Sequence, residues 1–230
     1  MSAGSSTTPS PPTRDATLFW MAAGILVFTV AAFVLVAIRE PVRLTRFTPL
    51  VTTHAVLMVA WYTLFVVQSG LVRQGKYATH RTLGLISVAL AAGMVVTGIW
   101  VALNFYQEFG RRLTLVADVG IFVNFAPLSG FAVWAAIEGR LEVHKTVILV
   151  ASICMITPAL ARALDVGGVS RTVTILLYPL ILIGLPLVHD RRTTGRLHRA
   201  SVWAVAFSLL VFAGQVAAFV AIGRSEPVCA

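Results

Sequence analysis

The five histidines of this chain are its best candidates for binding a cofactor. Four of them lie at the ends of long apolar runs beside charged residues, and the fifth lies inside the second run. They are His54, His80, His144, His189 and His198. A ring nitrogen that is neutral near pH 7 is a good ligand for haem iron, zinc or non-haem iron. Neither cysteine belongs to a CxxC or CxxCH pattern, so the sequence offers no thiolate metal site and no covalently attached haem.

Three short segments repeat a glycine, a basic residue, and then a histidine followed by a basic residue. Their sequences are GKYATHR at 75–81, GRLEVHK at 139–145 and, with a shorter spacer, GRLHR at 195–199. In each segment the glycine is placed to end one helix and the histidine to open the next. The pattern predicts three helical hairpins that turn on the same side of the protein.

Long apolar runs must position these histidines. Apolar residues make up 58% of the chain and charged residues 12%, whereas globular chains carry about 25% charged residues. The mean hydropathy is +0.88. Seven runs approach the roughly 20 residues that a membrane-spanning helix needs. They are Leu18–Ile38, Pro49–Val72, Thr82–Tyr106, Leu113–Ile137, Val143–Leu164, Val173–Val188 and Ala200–Ile222. Because open strands would leave backbone groups unpaired in lipid, we expect an all-α membrane protein with about seven transmembrane helices, built from an N-terminal helix and three hairpins.

The chain ends and the distribution of charge complete this outline. Residues 1–17, rich in Ser, Thr and Pro, are predicted to be a disordered tail, residues 18–222 a single transmembrane domain, and residues 223–230 a short C-terminal tail.

The net charge is +9, but the basic residues form short clusters between apolar runs. That distribution indicates a lipid bilayer as the partner and argues against nucleic acid. Ten basic residues flank the N-terminal side and eight the other, which favours a cytoplasmic N-terminus.

A resemblance to a known family begins in the second apolar run. The segments HAVLM at 54–58 and QSGLVR at 68–73, followed by His80 and Gly98, resemble the second and third helices of the cytochrome b561 family. In that family a His-Pro-Leu-x-Met start, a Gly-x-x-Leu/Ile-x-x-Arg end and a histidine opening the next helix recur. Uncharacterised bacterial haem-type membrane proteins carry similar motifs. The resemblance covers about residues 52–163 and implies a bacterial cytoplasmic membrane protein.

The resemblance also implies a cofactor and its ligands. The family binds two b-type haems, each between two histidines of different helices, and the positions of one such pair match His80 and His144. The basic residues nearby could pair with haem propionates at the membrane surface. They are Arg73, Lys76, Arg81, Arg140 and Lys145, of which Arg81 and Lys145 directly follow the two histidines. The expected function is then electron transfer through one haem b, to or from a redox partner protein or a quinol.

One departure from the family concerns its second haem. That haem uses the histidine of the second helix together with one early in the fourth helix, and the fourth run here contains no histidine. His54 therefore lacks its expected partner, and a second haem of that kind is not expected. Asp118, an early polar residue of the fourth run, could instead accept a hydrogen bond from His54.

Two other functions remain open at the level of sequence. His80, His144 and His198, with His189 or Asp190 added, could form a three-histidine site for zinc or non-haem iron in a membrane enzyme. Such a site would keep an open position for water and could hydrolyse or oxidise a lipid. The protein could also be a scaffold or accessory subunit without a cofactor, so the sequence does not decide whether it is an enzyme.

Overall fold

The computed structural model describes residues 16–225, apart from the side chains of Arg43, Arg171 and residues 223–225. The helices are α1 (Thr17–Arg39), α2 (Pro49–Arg73), α3 (Tyr77–Phe109), α4 (Arg112–Ile137), α5 (Leu141–Cys154), α6 (Thr157–Val166), α7 (Arg171–Thr193) and α8 (Arg199–Ser225). A short 3-10 helix, Pro41–Arg46, links α1 to α2. The described residues contain no strand. The all-α prediction is therefore confirmed.

Seven of the described segments are long and apolar enough to cross a membrane. Six are single helices, and the seventh is formed by α5 and α6 together, Leu141–Val166. The predicted number of spans is confirmed, although several helices are longer than their apolar runs. The C-terminal boundary shifts as well, because α8 continues to Ser225, inside the predicted tail. Residues 1–15 and 226–230, to which most of both predicted tails belong, lie outside the described residues.

The glycines of the three repeated segments all adopt positive φ. Gly75, Gly139 and Gly195 have φ values of 75°, 71° and 70°, a conformation that glycine adopts without the cost of a Cβ. After Gly75, the backbone N–H of Lys76 donates to Leu71 O at 2.9 Å. The Arg140 N–H after Gly139 makes the equivalent bond, to Ala135 O at 2.8 Å. These bonds define a Schellman motif, which uses carbonyls left free at a helix end.

The fifth predicted helix is broken near its middle, where the sequence predicted one continuous run. α5 ends at Cys154 and α6 begins at Thr157. Pro158 has no N–H with which to bond the Cys154 carbonyl, four residues earlier. The Thr157 hydroxyl donates to that carbonyl at 3.3 Å, so the freed acceptor is satisfied and the break is tolerated within the bundle. α4 and α7 also contain internal prolines but remain single helices.

The helix α5 lies at the centre of the bundle. It packs against α1, α4, α7 and α8, while α3 packs against α2 and α4. The span containing α5 is the most enclosed of the seven, with 61% of its most apolar window buried. Hydrogen bonds between helices join this core to α2, because Trp61 Nε1 donates to Ser152 Oγ at 3.3 Å and Tyr62 OH to Ser152 O at 3.2 Å. The outer faces of the other helices are apolar and exposed, as expected for contact with lipid.

Candidate functional site

The first two hairpins place their histidines at equivalent positions. His80 and His144 each lie five residues after the turn glycine and in the first turn of the following helix. The His80 N–H donates to Lys76 O at 3.1 Å, and the His144 N–H donates to Arg140 O at 3.0 Å. Both imidazoles therefore start from the same backbone geometry and lie on the same side of the bundle, as the repeated pattern predicted.

The structure brings these two imidazoles together. The ring centroids of His80 and His144 are 6.3 Å apart, and the ring planes are inclined by 79°. The helices that carry them, α3 and α5, are separated along most of their length by α4, which packs against both. Both side chains are partly buried. Two histidines from separate helices thus meet beside α4 near one end of the membrane-spanning bundle.

The His144 ring is oriented by a backbone carbonyl. Its Nδ1 lies 2.8 Å from Ala132 O in α4. A carbonyl can only accept a hydrogen bond, so Nδ1 must carry the proton. In the neutral ring this leaves the lone pair on Nε2. Metal-binding histidines in proteins commonly donate their other ring N–H to a carbonyl in this way, which fixes the tautomer and the ring orientation.

The environment of His80 contains two buried polar atoms without partners. His80 Nδ1 and Gln68 Oε1 are both inaccessible to solvent, and neither has a hydrogen-bond partner among the described residues. The two residues touch, because Gln68 Nε2 donates to His80 O at 3.1 Å. A buried polar atom without a partner costs about 1–3 kcal/mol. The polar groups around the His80 ring are therefore not all satisfied by the described residues.

The two imidazoles are close enough to bind one metal ion together. Metal–nitrogen bonds to histidine are about 2.0 Å long, and the ring centroids of His80 and His144 are 6.3 Å apart. The residues present are compatible with the b-type haem that the sequence resemblance implies.

The basic residues around this site differ in their availability. Lys145 Nζ is 2.7 Å from Glu142 Oε2. The guanidinium of Arg140 lies over the Trp134 ring. Arg81, directly after His80, is exposed at the helix start. Of the two basic residues that follow the histidines, Lys145 already has a carboxylate partner, so Arg81 is the better candidate for pairing with a propionate.

The third hairpin uses its polar residues to hold its own turn. His198 precedes the first residue of α8 and caps it, because its Nδ1 accepts from the Ala200 N–H at 3.1 Å. Asp190 Oδ2 accepts from the His198 N–H at 2.8 Å and from Ser201 Oγ at 2.5 Å. Its other carboxylate oxygen lies 3.3 Å from His189 Nδ1. This carboxylate is 1% exposed and fully engaged in joining α7 to α8.

The structure does not bring together the residues of the alternative three-histidine site for zinc or iron. Within residues 16–225, no group of three His, Cys, Asp or Glu side chains is placed to hold a metal ion. His80 and His144 meet each other, but His198 acts as a helix cap and Asp190 accepts the donors of α8. The physical reason is the shorter spacer of the third segment, which puts its histidine before the helix rather than inside the first turn.

The expected hydrogen bond between His54 and Asp118 is also absent. His54 Nδ1 lies 3.0 Å from Thr97 Oγ1. The Thr97 hydroxyl already donates to Gly93 O at 2.7 Å, so it accepts the proton of His54. The His54 ring also packs edge-on against Phe122, with centroids 6.0 Å apart. His54 therefore joins α2 to α3 and α4 through Thr97 and Phe122, rather than pairing with Asp118, the partner that the sequence left possible.

Two groups at the candidate site had little or no signal in the sequence. The carbonyl that orients His144 belongs to Ala132, whose side chain gives no indication of this role. Gln68 belongs to the motif that carries the resemblance, but its contact with His80 requires the hairpin to be closed. One signal could have identified the contact between Gln68 and His80. Gln68 lies twelve residues before His80, and the glycine turn between them brings the two residues back together.

Comparison of the chain with protein-family models, with curated proteins and with solved structures found no match. The likeness to the cytochrome b561 family therefore rests on the short motifs around His54 and His80 and on the matching position of His144. The geometry of the site, rather than an identified relative, has to support any function.

Proposed function

We propose that this protein is an integral membrane cytochrome b that holds one haem b between α3 and α5 and transfers electrons. His80 and His144 would hold the haem in this proposal. The observation that carries it is the approach of two imidazoles from separate helices to a centroid distance of 6.3 Å. The bond from His144 Nδ1 to Ala132 O supports it, because it directs the ring lone pair to Nε2.

The surrounding residues have distinct roles in this proposal. When bound, the haem would supply one-electron redox chemistry. The Ala132 carbonyl fixes the His144 ring and increases the basicity of its free nitrogen. Gln68 holds the backbone at His80 through its bond to the carbonyl of that residue. Arg81 lies where it can pair with a propionate near the membrane surface.

The electron partner is expected at the membrane face that carries the three glycine turns. The described basic residues of that face are Arg73, Lys76, Arg81, Arg140, Lys145, Arg191, Arg192, Arg196 and Arg199. A redox protein with an acidic surface would be steered to this face, and a quinol could reach the site from the bilayer. On the same asymmetry of charge, we propose that this face and the N-terminus lie on the cytoplasmic side, with the bacterial cytoplasmic membrane as the location.

The test is the absorbance spectrum of the full chain, purified in detergent from cells well supplied with haem, before and after dithionite. The wild-type protein should show a Soret band and sharp reduced α and β bands at near one haem per chain. His80→Ala and His144→Ala should each lose the low-spin spectrum, because each removes one axial ligand. Added imidazole should restore part of that spectrum in His144→Ala by occupying the vacated position.

A matched control separates loss of a ligand from loss of structure. His198→Asn removes an imidazole on the same membrane face but keeps a good helix cap, so its spectrum should match the wild type. Circular dichroism and a single monomeric elution peak should confirm that all variants are folded. Haem retained after removal of both His80 and His144 would refute the proposal. So would a colourless wild-type protein, which would instead favour a scaffold role.

A further inference from the structure

A second feature of the bundle lies away from the histidine pair. A groove of ≈ 530 Å³ runs between α1, the junction of α5 and α6, and the end of α7. Its wall is mainly apolar, with Met21 and Ile25 from α1 and Leu185 from α7. Gly24 also lines it, and a Cβ added there would meet no atom within 4 Å. The groove is therefore open at the centre of the α1 face.

The groove has the depth of one membrane leaflet. Along α1 it extends from Ala16 to Phe28, a rise of about 18 Å, compared with about 15 Å of hydrocarbon in one leaflet. Trp20 lines the outer part and is 64% exposed, as is common for tryptophan at headgroup level. At the inner end lies Ile156, near the middle of the fifth span. An extended acyl chain has this length and orientation.

Among the described residues, one charged side chain lines the groove, at its outer end. Arg192 belongs to the last turn of α7, on the face that carries the glycine turns. Neither the ion pair between Lys145 and Glu142 nor the one between His189 and Asp190 involves Arg192. A guanidinium presents a planar set of donors that suits phosphate oxygens. The outer end of the groove thus matches an anionic headgroup.

We infer that this groove binds one anionic phospholipid, with its phosphate on Arg192 and one acyl chain along α1 towards Ile156. The apolar wall alone would not select a lipid, because every lipid in the bilayer supplies the same hydrocarbon. Selection comes from the charge at headgroup depth, combined with a recess that holds a chain in place. This site is independent of the proposed haem and would persist if the protein carried none.

The chain offers a second groove as an internal control. A groove of ≈ 500 Å³ between α4 and α8 is lined by apolar residues and Gln215, without a charged side chain. Gly214 lines it, and a Cβ added there also meets no atom within 4 Å. Leucine at Gly24 or at Gly214 should therefore fill one groove each without displacing a neighbour.

The test is native mass spectrometry of the full chain released from mixed micelles of phosphatidylglycerol and phosphatidylcholine. The wild-type protein should retain one phosphatidylglycerol in preference to phosphatidylcholine by about fivefold, the factor expected for one basic residue facing an anionic lipid. Arg192→Gln should remove the preference, and Gly24→Leu should prevent retention. Arg191→Gln and Gly214→Leu should behave as the wild type, because neither changes this groove.

Several outcomes would overturn the inference. Unchanged preference in Arg192→Gln, or unchanged retention in Gly24→Leu, would show that the lipid binds elsewhere. Equal retention of the two lipids would mean that only the bilayer hydrocarbon occupies the groove. A dimer without retained lipid would assign the α1 face to a second copy of the chain, and a co-purifying quinone in place of phosphatidylglycerol would assign it to a neutral ligand.

Discussion

The contact between α3 and α4 at Gly98 should be intolerant of even one added carbon. A Cβ at Gly98 would lie 2.6 Å from Phe122 Cε2 and 2.8 Å from His54 Cε1, with Phe122 Cζ nearer still. Favourable carbon–carbon contacts begin at about 3.5 Å, so the phenyl ring or the helix would have to move by about 1.5 Å. Phe122 is only 6% exposed and cannot move into open space. We therefore expect Gly98→Ala to destabilise the protein.

The size of this effect follows from two opposing contributions. Overpacking in a buried contact costs about 1–3 kcal/mol, while replacing glycine by alanine within a helix gains about 0.5–1 kcal/mol. The net loss should be about 1–2 kcal/mol, which corresponds to a decrease in Tm of about 2–8 °C for a chain of this size. Gly130→Ala in α4 is the control, because its added Cβ meets no atom within 4 Å. That variant should be as stable as the wild type or slightly more stable.

The assay is thermal unfolding in detergent, followed by circular dichroism and by the absorbance of any bound cofactor. The clash should be relieved in the double variant Gly98→Ala, Phe122→Leu, whose stability should exceed the sum of the single effects. The absorbance spectrum should remain unchanged, because Gly98 contacts His54 rather than the pair formed by His80 and His144. If Gly98→Ala matched Gly130→Ala in Tm, the close packing of α4 on α3 would be refuted.

Two further predictions concern buried hydrogen bonds. Asp190→Ala should cost about 2–4 kcal/mol, because it leaves Ser201 Oγ and a backbone N–H at the start of α8 without their acceptor. Thermal unfolding measures this loss, and a change below about 0.5 kcal/mol would show that the turn does not depend on the carboxylate. Ser152→Ala should cost about 1 kcal/mol by removing the acceptor of Trp61 Nε1. Ser87→Ala, whose hydroxyl bonds only within its own helix, should have no measurable effect, and equal losses for the two serine variants would contradict the predicted difference.

The sequence predicted the number of membrane spans better than it predicted where a span is broken into two helices. The apolar runs predicted seven spans because the length of hydrocarbon to be crossed is a local requirement. A proline within a run was less informative. α4 contains Pro127 and stays continuous, whereas the span with Pro158 divides into two helices. The difference lies in the surroundings of the freed carbonyl, which Thr157 satisfies at this break.

The positions of His80 and His144 were predictable from the sequence, but the groups that orient them were not. The spacing from glycine to histidine in the first two segments predicted that His80 and His144 lie in the first turn of their helices. This was predictable because the end of one helix at a glycine and the start of the next are set by hydrogen bonds between residues close in sequence. His198 occupies a different position, since a spacer two residues shorter makes that histidine a helix cap.

The amino-acid sequence by itself determined the membrane-spanning class, the approximate positions of the helices and the hairpin turns, because hydropathy, helix length and glycine turns act over short stretches of chain. The tertiary structure decided which side chains meet: His80 with His144, His54 with Thr97, and Asp190 with Ser201. It also decided that α1 and α7 leave a groove beside Arg192. These contacts depend on how each helix is rotated about its axis and packed against its neighbours. The pattern of apolar residues constrains this rotation only weakly, because a helix face in lipid and a helix face in the protein core are equally apolar.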